Sequence, residues 1–477
     1  MGDDEASSLV RGGSVRRAPE ERCPRSLVGV VLVAAAIILV VGSRGGEGED
    51  VDALREQVRQ LAAASSLFPA AELREIGGGA SLLALDPAAV AESLGPDVVV
   101  EVLAEPVVGG VAPLRWLEGP VWLPASRSVL FTDTIANQML RWDEPTGRLA
   151  VQREPSGAPR QCIDPAQSAD PDCLQVLEPG ANGLLLPPGS EELLFCNHGR
   201  REISALPLAN LSDAEPRTIV SHFQGKRLNS PNDLALSPTT GDLFFTDPPY
   251  GLRLGTASCT ETHCPPRGCS CGLPFSSTPR SFFEQLEADG GIVAGVYRLP
   301  ASARQRRTQA EREAGLERLT DTLLEFPNGI AVSPDASRLY VAGSGPRSRI
   351  VSFPLGADGG LSGVATVLTT NAALIRTNMA VAGRLQSGRT DEATAAAVWD
   401  SDAWTLGVFD GMTVDSSGRI WATAAGGVVL LEPDGRHLAT LRLGSRAGNC
   451  VLGEGGQLYV AADHRLLRIQ TRASRIP

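Results

Sequence analysis

The sequence predicts an all-β fold, a six-bladed β-propeller, preceded by an N-terminal transmembrane helix and a short helical stalk. A strand–turn–strand unit recurs six times, a polar residue stands just before the first strand of each copy, and an uncharged apolar run lies ahead of all of them. The 51 glycines and 34 prolines also indicate a turn-rich fold with many short elements. The expected boundaries are a cytosolic tail at 1–26, a transmembrane anchor at 27–43, a linker and stalk at 44–100, and a propeller at 101–477 with insertions near 252–290 and 362–405.

The N-terminal apolar run extends from Leu27 to Gly42 and is at the short end of what spans a bilayer. Five arginines precede it: Arg11, Arg16, Arg17, Arg22 and Arg25. The positive-inside rule places this tail in the cytosol and the rest of the chain on the luminal, periplasmic or extracellular side. A cleaved signal peptide is the alternative, since Val41 and Ser43 would suit a cleavage site, and the protein would then be secreted.

The linker after the anchor contains apolar residues spaced three and four apart: Val51, Leu54, Val58 and Leu61. This spacing predicts a short helix that acts as a stalk. A stalk of this length is compatible with a monomer or a dimer, so the oligomeric state stays open.

Six cysteines lie in two predicted loops: Cys162, Cys173, Cys259, Cys264, Cys269 and Cys271. On the non-cytosolic side they are expected to form disulfides that stabilise the loops, whereas in a cytosol the cluster of four would suggest zinc. Its spacing fits no standard zinc pattern, which favours disulfides. Asn210 begins an Asn-Leu-Ser glycosylation sequon that is usable only in a secretory compartment.

The repeated unit consists of an apolar strand, a Pro/Asp/Gly turn and a second strand rich in aromatic and β-branched residues. Its copies are VWLPASRSVLFTD from Val121, LLLPPGSEELLFCN from Leu184, LALSPTTGDLFFTD from Leu234, IAVSPDASRLYVAG from Ile330, MTVDSSGRIWATA from Met412 and VLGEGGQLYVAA from Val451. Small antiparallel sheets of this kind are stabilised by stacking on their neighbours, and six of them close into a propeller. An open β-sandwich is the alternative.

A polar residue precedes the first strand of every copy. These residues are Glu118, Asn182, Asn232, Asn328, Asp410 and Asn449. Because the innermost strands line the central channel, we expect the six side chains to ring one of its mouths. Asn-Gly and Asp-Gly are also common turn dipeptides, so a turn is the better explanation for any single copy, whereas all six at one register favour a site.

Carboxylates and amides in such a ring are oxygen donors suited to one hard divalent cation, calcium first, with magnesium, manganese and zinc as alternatives. A cation with open positions polarises a carbonyl and activates water, as ester or lactone hydrolysis requires. The sequence contains no G-x-S-x-G nucleophile elbow and no zinc-protease histidine motif. The net charge of -12 argues against a nucleic-acid partner.

The sequence closely resembles the gluconolactonase and regucalcin-like (senescence marker protein) family. The matching segments are LEGPVW, GANGLLL, NHGRR, GKRLNSPNDLALSPTTGDLFFTDPPYG, GVYRLP, FPNGIAVSPDASRLYVA and FDGMTVDSSGRIWAT. They spread over about three quarters of the chain, and NSPND together with FTDPPYG is highly specific. The resemblance implies a six-bladed propeller with one divalent metal in its channel, acting as a carboxylic ester hydrolase that opens sugar lactones.

The resemblance also implies roles for individual residues. Glu118, Asn328 and Asp410 match the family's metal ligands, and Asp410 also matches its proton acceptor and donor. The family's substrate contacts correspond to four further residues: Asn232, Asn182, Asn229 and His198.

One departure from the family concerns the residue before Asp410, where proline is usual and this chain has Phe409. We expect Phe409 to narrow or redirect the rim of the channel. This slightly favours the alternative function, a paraoxonase-like arylesterase or lactonase that acts on apolar substrates. A non-catalytic metal-binding propeller that binds a partner is the third alternative.

Overall fold

The computed structural model describes residues 67–105, 114–159, 178–252, 295–319, 324, 326–345, 347–387 and 407–476. The predicted anchor at 27–43, the stalk helix, the six loop cysteines and most of the insertion near 252–290 lie outside these residues and stay predictions. Among the helices within the described ranges, none is long and apolar enough to cross a membrane.

The described part of the chain is built mainly of short strands. In chain order they are β1 (Glu72–Glu75), β2 (Ser81–Ala84), β3 (Val100–Ala104), β4 (Leu117–Leu123), β5 (Ser128–Asp133), β6 (Gln138–Asp143), β7 (Arg148–Arg153), β8 (Ala181–Leu185), β9 (Glu192–Asn197), β10 (Glu202–Pro207), β11 (Arg217–Val220), β12 (His222–Phe223), β13 (Lys226–Arg227), β14 (Leu234–Leu236), β15 (Leu243–Asp247), β16 (Gly295–Leu299), β17 (Glu317–Leu319), β18 (Pro327–Val332), β19 (Arg338–Gly343), β20 (Arg349–Pro354), β21 (Thr366–Thr370), β22 (Met412–Val414), β23 (Ile420–Ala424), β24 (Gly427–Leu431), β25 (His437–Arg442), β26 (Asn449–Leu452), β27 (Gln457–Ala462) and β28 (Arg465–Gln470). The helices are α1 (Pro87–Ser93), α2 (Ala301–Arg304), α3 (Gln309–Ala314) and α4 (Asn371–Ser387).

These strands form six antiparallel blades, which confirms the predicted propeller. The blades are β4–β7, β8–β11, β14–β17, β18–β21, β22–β25 and β26–β28 with β3. Each predicted repeat unit supplies the two inner strands of one blade. Each inner strand contacts the inner strand of the next blade, and β26 returns to contact β4, so the ring is closed.

The chain ahead of the first blade is part of the same fold. Strand β3 pairs with β28 and completes the sixth blade, while β2 pairs with β25 and, together with β1, extends the fifth blade outward. Every residue of β2 is buried, and Leu83 packs against Met379 and Val381 of α4. The predicted linker and stalk at 44–100 is therefore wrong for residues 67–100, because these residues bury an apolar strand against the fifth blade.

The inner strands approach one another too closely for side chains at certain glycines. A Cβ on Gly329 would lie 2.3 Å from the carbonyl oxygen of Asp410, and one on Gly411 would lie 2.1 Å from Cγ of Asn449. Gly329 donates its N–H to Asp410 in the next blade at 2.9 Å. Asn328 and Gly329 belong to β18, where the pairing with β19 contains a bulge, so this Asn-Gly pair lies in a channel-lining strand and does not form a turn.

Candidate active site

Five of the six predicted ring residues line one cavity at a mouth of the channel. The cavity has a volume of about 700 Å³, within the usual range for small-molecule sites. Its polar lining includes Glu118, Asn182, Asn232, Asn328 and Asp410. The structure thus brings together side chains contributed by five different blades, as the register of the repeats predicted.

The sixth ring residue, Asn449, lies beneath this cavity. Its Nδ2 atom is 3.4 Å from Oδ2 of Asp233, which also accepts the N–H of Ile330 at 3.4 Å. Burial raises the pKa of Asp233 to about 6, although its hydrogen bonds oppose the shift. Asp233 and Asn449 also line a separate cavity of about 280 Å³. Asn449 therefore belongs to this second cavity and not to the one that the other five ring residues line.

Glu118 lies in the bulged part of β4, where only 3% of it is exposed. The indole Nε1–H of Trp116 donates to its Oε1 atom at 3.1 Å, and the backbone N–H of Gly119 is 3.4 Å from Oε2. Burial raises the pKa of Glu118 well above its ordinary value, and the charge of Asp410 raises it further, while the bond from Trp116 lowers it. The Trp116 bond therefore favours the ionised carboxylate.

Asp410 immediately precedes β22 and projects into the same cavity. Its Oδ1 atom is enclosed and has no hydrogen-bond partner in the described structure. Burial raises the pKa of Asp410 well above its ordinary value, and the charges of Glu178 and Asp233 add to this, while Asn328 and Arg446 oppose it. Two mutually repelling carboxylates, Glu118 and Asp410, thus face one enclosed space.

These oxygens fit a single divalent cation. Within the part of the chain that the structure describes, the Oδ1 atom of Asn182, like that of Asp410, is buried without a hydrogen-bond partner. Asn328 uses its Nδ2 to donate to Ser344 at 3.0 Å. Over the described ranges no three His, Cys, Asp or Glu side chains are grouped as metal ligands. A cation here would therefore be held by the two carboxylates together with amide oxygen, which is the donor set that hard cations accept.

Two predicted substrate contacts do not line this cavity. Asn229 donates its backbone N–H to Oδ2 of Asp247 at 2.8 Å and its side-chain amide to the carbonyl of Asp247 at 3.2 Å. The ring of His198 is fully buried, and its Nδ1 atom lies 3.1 Å from Oε2 of Glu178. Neither residue belongs to the lining of this cavity, and the prediction that Asn229 and His198 touch substrate stays a prediction.

Phe409 does not narrow the rim either. Its side chain is fully buried in the core between the fourth and fifth blades. Its backbone N–H donates to Oγ of Ser348 at 3.0 Å, and its carbonyl accepts from Ser344. The expected effect of Phe409 on substrate choice is therefore not supported, although its backbone helps to position Asp410.

Sequence reasoning missed several residues of the cavity wall. Glu178 lines the cavity four positions before Asn182, and Arg446 lines it three positions before Asn449. Tyr250, also in the wall, donates its hydroxyl to the carbonyl of Phe326 at 3.0 Å. A search that extended a few residues upstream of each repeat would have included Glu178 and Arg446. Tyr250 lies inside the specific FTDPPYG segment.

Comparison with known proteins gives consistent matches over the propeller. The pattern described as the SMP-30/Gluconolactonase/LRE-like region matches residues 116–265 and 284–464. A gluconolactonase of Zymomonas mobilis subsp. mobilis (strain ATCC 31821 / ZM4 / CP4) is 29% identical over 381 residues, which cover 79% of this chain and 84% of that protein. A solved gluconolactonase structure from Xanthomonas campestris, described as important in glucose secondary metabolic pathways, is 25% identical with a TM-score of 0.52 and covers 80% of this chain and 93% of its own.

Proposed function

The chain belongs to the SMP-30/gluconolactonase/LRE-like family, and on that premise we propose that it is a metal-dependent carboxylic ester hydrolase that opens sugar lactones. The observation that carries the proposal is the enclosed cavity in which Glu118, Asn328 and Asp410 meet. The gluconolactonases to which the chain is similar support the choice of lactone as substrate.

The proposed cation ligands are Glu118, Asn328 and Asp410, with Asn182 and Asn232 facing the same space. A divalent cation, calcium first, would when bound polarise the lactone carbonyl and lower the pKa of water. Trp116 holds the Glu118 carboxylate through its indole N–H. Ser344 holds the amide of Asn328 and so keeps its oxygen toward the cavity.

Asp410 is the proposed proton carrier. Its unpartnered Oδ1 atom accepts a proton from water as the water oxygen bonds to the lactone carbonyl carbon. The ring C–O bond then breaks, and the Asp410 carboxyl returns the proton to the departing ring oxygen. The product is the open-chain hydroxy acid. Asn182 and Asn232 are placed to hydrogen-bond the hydroxyl groups of the substrate.

The alternative of a preference for apolar esters depended on Phe409 at the rim. Phe409 is buried in the core and gives that alternative no support. Asn182 and Asn232 in the wall offer hydrogen bonds to a polyhydroxylated substrate.

The test is hydrolysis of a panel of sugar and aliphatic lactones by the full-length chain, with and without a chelator, compared with Asp410→Asn. The matched control is Asp213→Asn, which makes the same change at an exposed site on the second blade. We expect turnover to fall at least about 100-fold in Asp410→Asn, the usual loss of an acid–base group. A folded, cation-binding chain that hydrolyses no lactone would instead indicate the non-catalytic binding propeller.

A further inference from the structure

Two arginines line the cavity without a carboxylate partner. Arg349 and Arg446 both contribute to the wall, and over the described ranges no Asp or Glu oxygen lies within 4 Å of either guanidinium group. Arg349 uses its Nε–H to donate to the backbone carbonyl of Arg347 at 2.9 Å. Arg446 lies with its guanidinium carbon 5.2 Å from the centre of the Trp116 ring.

Several arginines elsewhere on the propeller are paired with acids, and others, such as Arg153 and Arg465, donate to backbone carbonyls. Arg298 contacts Asp242 at 2.7 Å, Arg217 contacts Glu192 at 2.8 Å, and Arg419 contacts Glu92 at 3.0 Å. Guanidinium groups with free N–H donors at the wall of a cavity are a common means of binding carboxylate and phosphate. The two cavity arginines therefore have donors available for a ligand.

The blades place these arginines on either side of the proposed proton carrier. Arg349 begins β20 of the fourth blade and Arg446 precedes β26 of the sixth, while Asp410 belongs to the fifth blade between them. Arg349 pairs with Thr370, directly before the start of α4, and the first residues of α4 line the same cavity. The positive end of the helix dipole thus adds to the charge of Arg349.

The charges of the cavity divide into two groups. Glu118 and Asp410 would be neutralised by a divalent cation. The charged side chains that then remain in the wall are Glu178 and the arginines Arg347, Arg349 and Arg446, an excess of positive charge in a cavity of about 700 Å³, which has room for a substituent beyond a single lactone ring. A ligand with a negative group would balance this charge.

This inference rests on the proposed lactonase function and specifies its substrate class. We propose that the substrate is an anionic lactone, with a carboxylate or phosphate group remote from the ring ester, and that Arg349 and Arg446 select it. The arginines bind the group, and neither of them accepts or donates the transferred proton.

The experiment measures kcat/KM of the full-length chain for three lactones: glucono-1,5-lactone, its 6-phosphate, and a glucaric acid lactone that carries a free carboxylate. The variants are Arg446→Gln and Arg349→Gln, with Arg446→Lys as the charge-retaining variant. Arg217→Gln on the outer strand of the second blade is the control. Each reaction is repeated at high salt, which requires no substitution and so does not depend on whether a variant folds.

We expect at least one anionic lactone to be preferred to the neutral one about tenfold or more, as hydrogen bonds to a charged group allow. That preference should fall about tenfold in each Gln variant and at high salt, partly return in Arg446→Lys, and stay unchanged in Arg217→Gln. Comparison of the phosphate with the carboxylate identifies which anion fits.

Equal or better turnover of the neutral lactone, or a preference unaffected by both Gln variants and by salt, would overturn the proposal. If no lactone is hydrolysed, the proposed function fails. Calorimetry with gluconate and 6-phosphogluconate then still tests whether the cavity binds the ligand with the additional phosphate more tightly. Tighter binding of 6-phosphogluconate that depends on Arg349 and Arg446 would support it, and equal binding would refute it.

Discussion

Replacement of Trp116 by phenylalanine tests how the carboxylate of Glu118 is held. The change removes the indole N–H that donates to Oε1 of Glu118 at 3.1 Å and replaces the two-ring indole by a single aromatic ring beneath Arg446. A hydrogen bond to a charged acceptor contributes about 1.5–3 kcal/mol, and every 1.4 kcal/mol is about tenfold in affinity. We therefore expect calcium to bind Trp116→Phe about 10- to 100-fold more weakly, the range usual for groups that orient a metal ligand.

Trp122→Phe is the matched control. Trp122 lies on the same strand as Glu118, and its indole N–H is buried without a partner in the described structure. Its ring stacks on Tyr459 at 5.7 Å, away from the cavity, so the change should lower the melting temperature and leave calcium affinity unaltered. Titration calorimetry on both variants measures the affinities. Equal calcium binding by wild type and Trp116→Phe would refute the role given to the indole.

Three further predictions concern the stability of the propeller and the attachment of the protein to a membrane. Gly329→Ala places a Cβ 2.3 Å from the carbonyl oxygen of Asp410, so we expect it to cost about 1–3 kcal/mol by overpacking, whereas Gly363→Ala has ordinary contacts; thermal unfolding compares the two. Burial raises the pKa of Asp247 to about 7, so the folded chain retains a proton that the unfolded chain releases, and stability should fall as the pH rises from about 4 to about 7. Asp247→Asn should remove that dependence in denaturant titrations, and an unchanged slope would exclude Asp247 as its cause. Deletion of residues 27–43 should move the protein from the membrane fraction to the supernatant on centrifugation, and continued sedimentation with membranes would contradict the predicted anchor.

The propeller could be predicted because its repeats are local. Each copy carries its two inner strands and their turn within a short segment, so apolar alternation and turn residues reveal it directly. The outer strands were harder to place. Strand β3 closes the sixth blade although it precedes the first, and β2 pairs with β25 far along the chain. No local pattern in either strand records that partner.

Site residues could be predicted where the repeat fixes their position, and they were missed where loops fix it. Glu118, Asn328 and Asp410 share one register on their blades, so their convergence follows from closure of the ring. Glu178 and Arg446 reach the cavity from loops upstream of that register, where the repeat imposes no pattern. Conversely, His198 and Asn229 were taken from motif likeness alone, and the structure uses both to support the wall.

The Asn-Gly and Asp-Gly pairs show why residue type could not separate a turn from a site. Gly411 lets the fifth blade approach Asn449 of the sixth, and it immediately follows Asp410, whose carboxylate faces the cavity. Gly329 makes the equivalent approach directly after Asn328. Because the absent Cβ allows the backbones to touch, the residue before each glycine is held where two inner strands meet, and its side chain lines the cavity. Closure of the propeller and convergence of the polar side chains therefore depend on the same dipeptides. A substitution that loosens the contact between two blades should also displace the side-chain oxygens of Asn328 and Asp410.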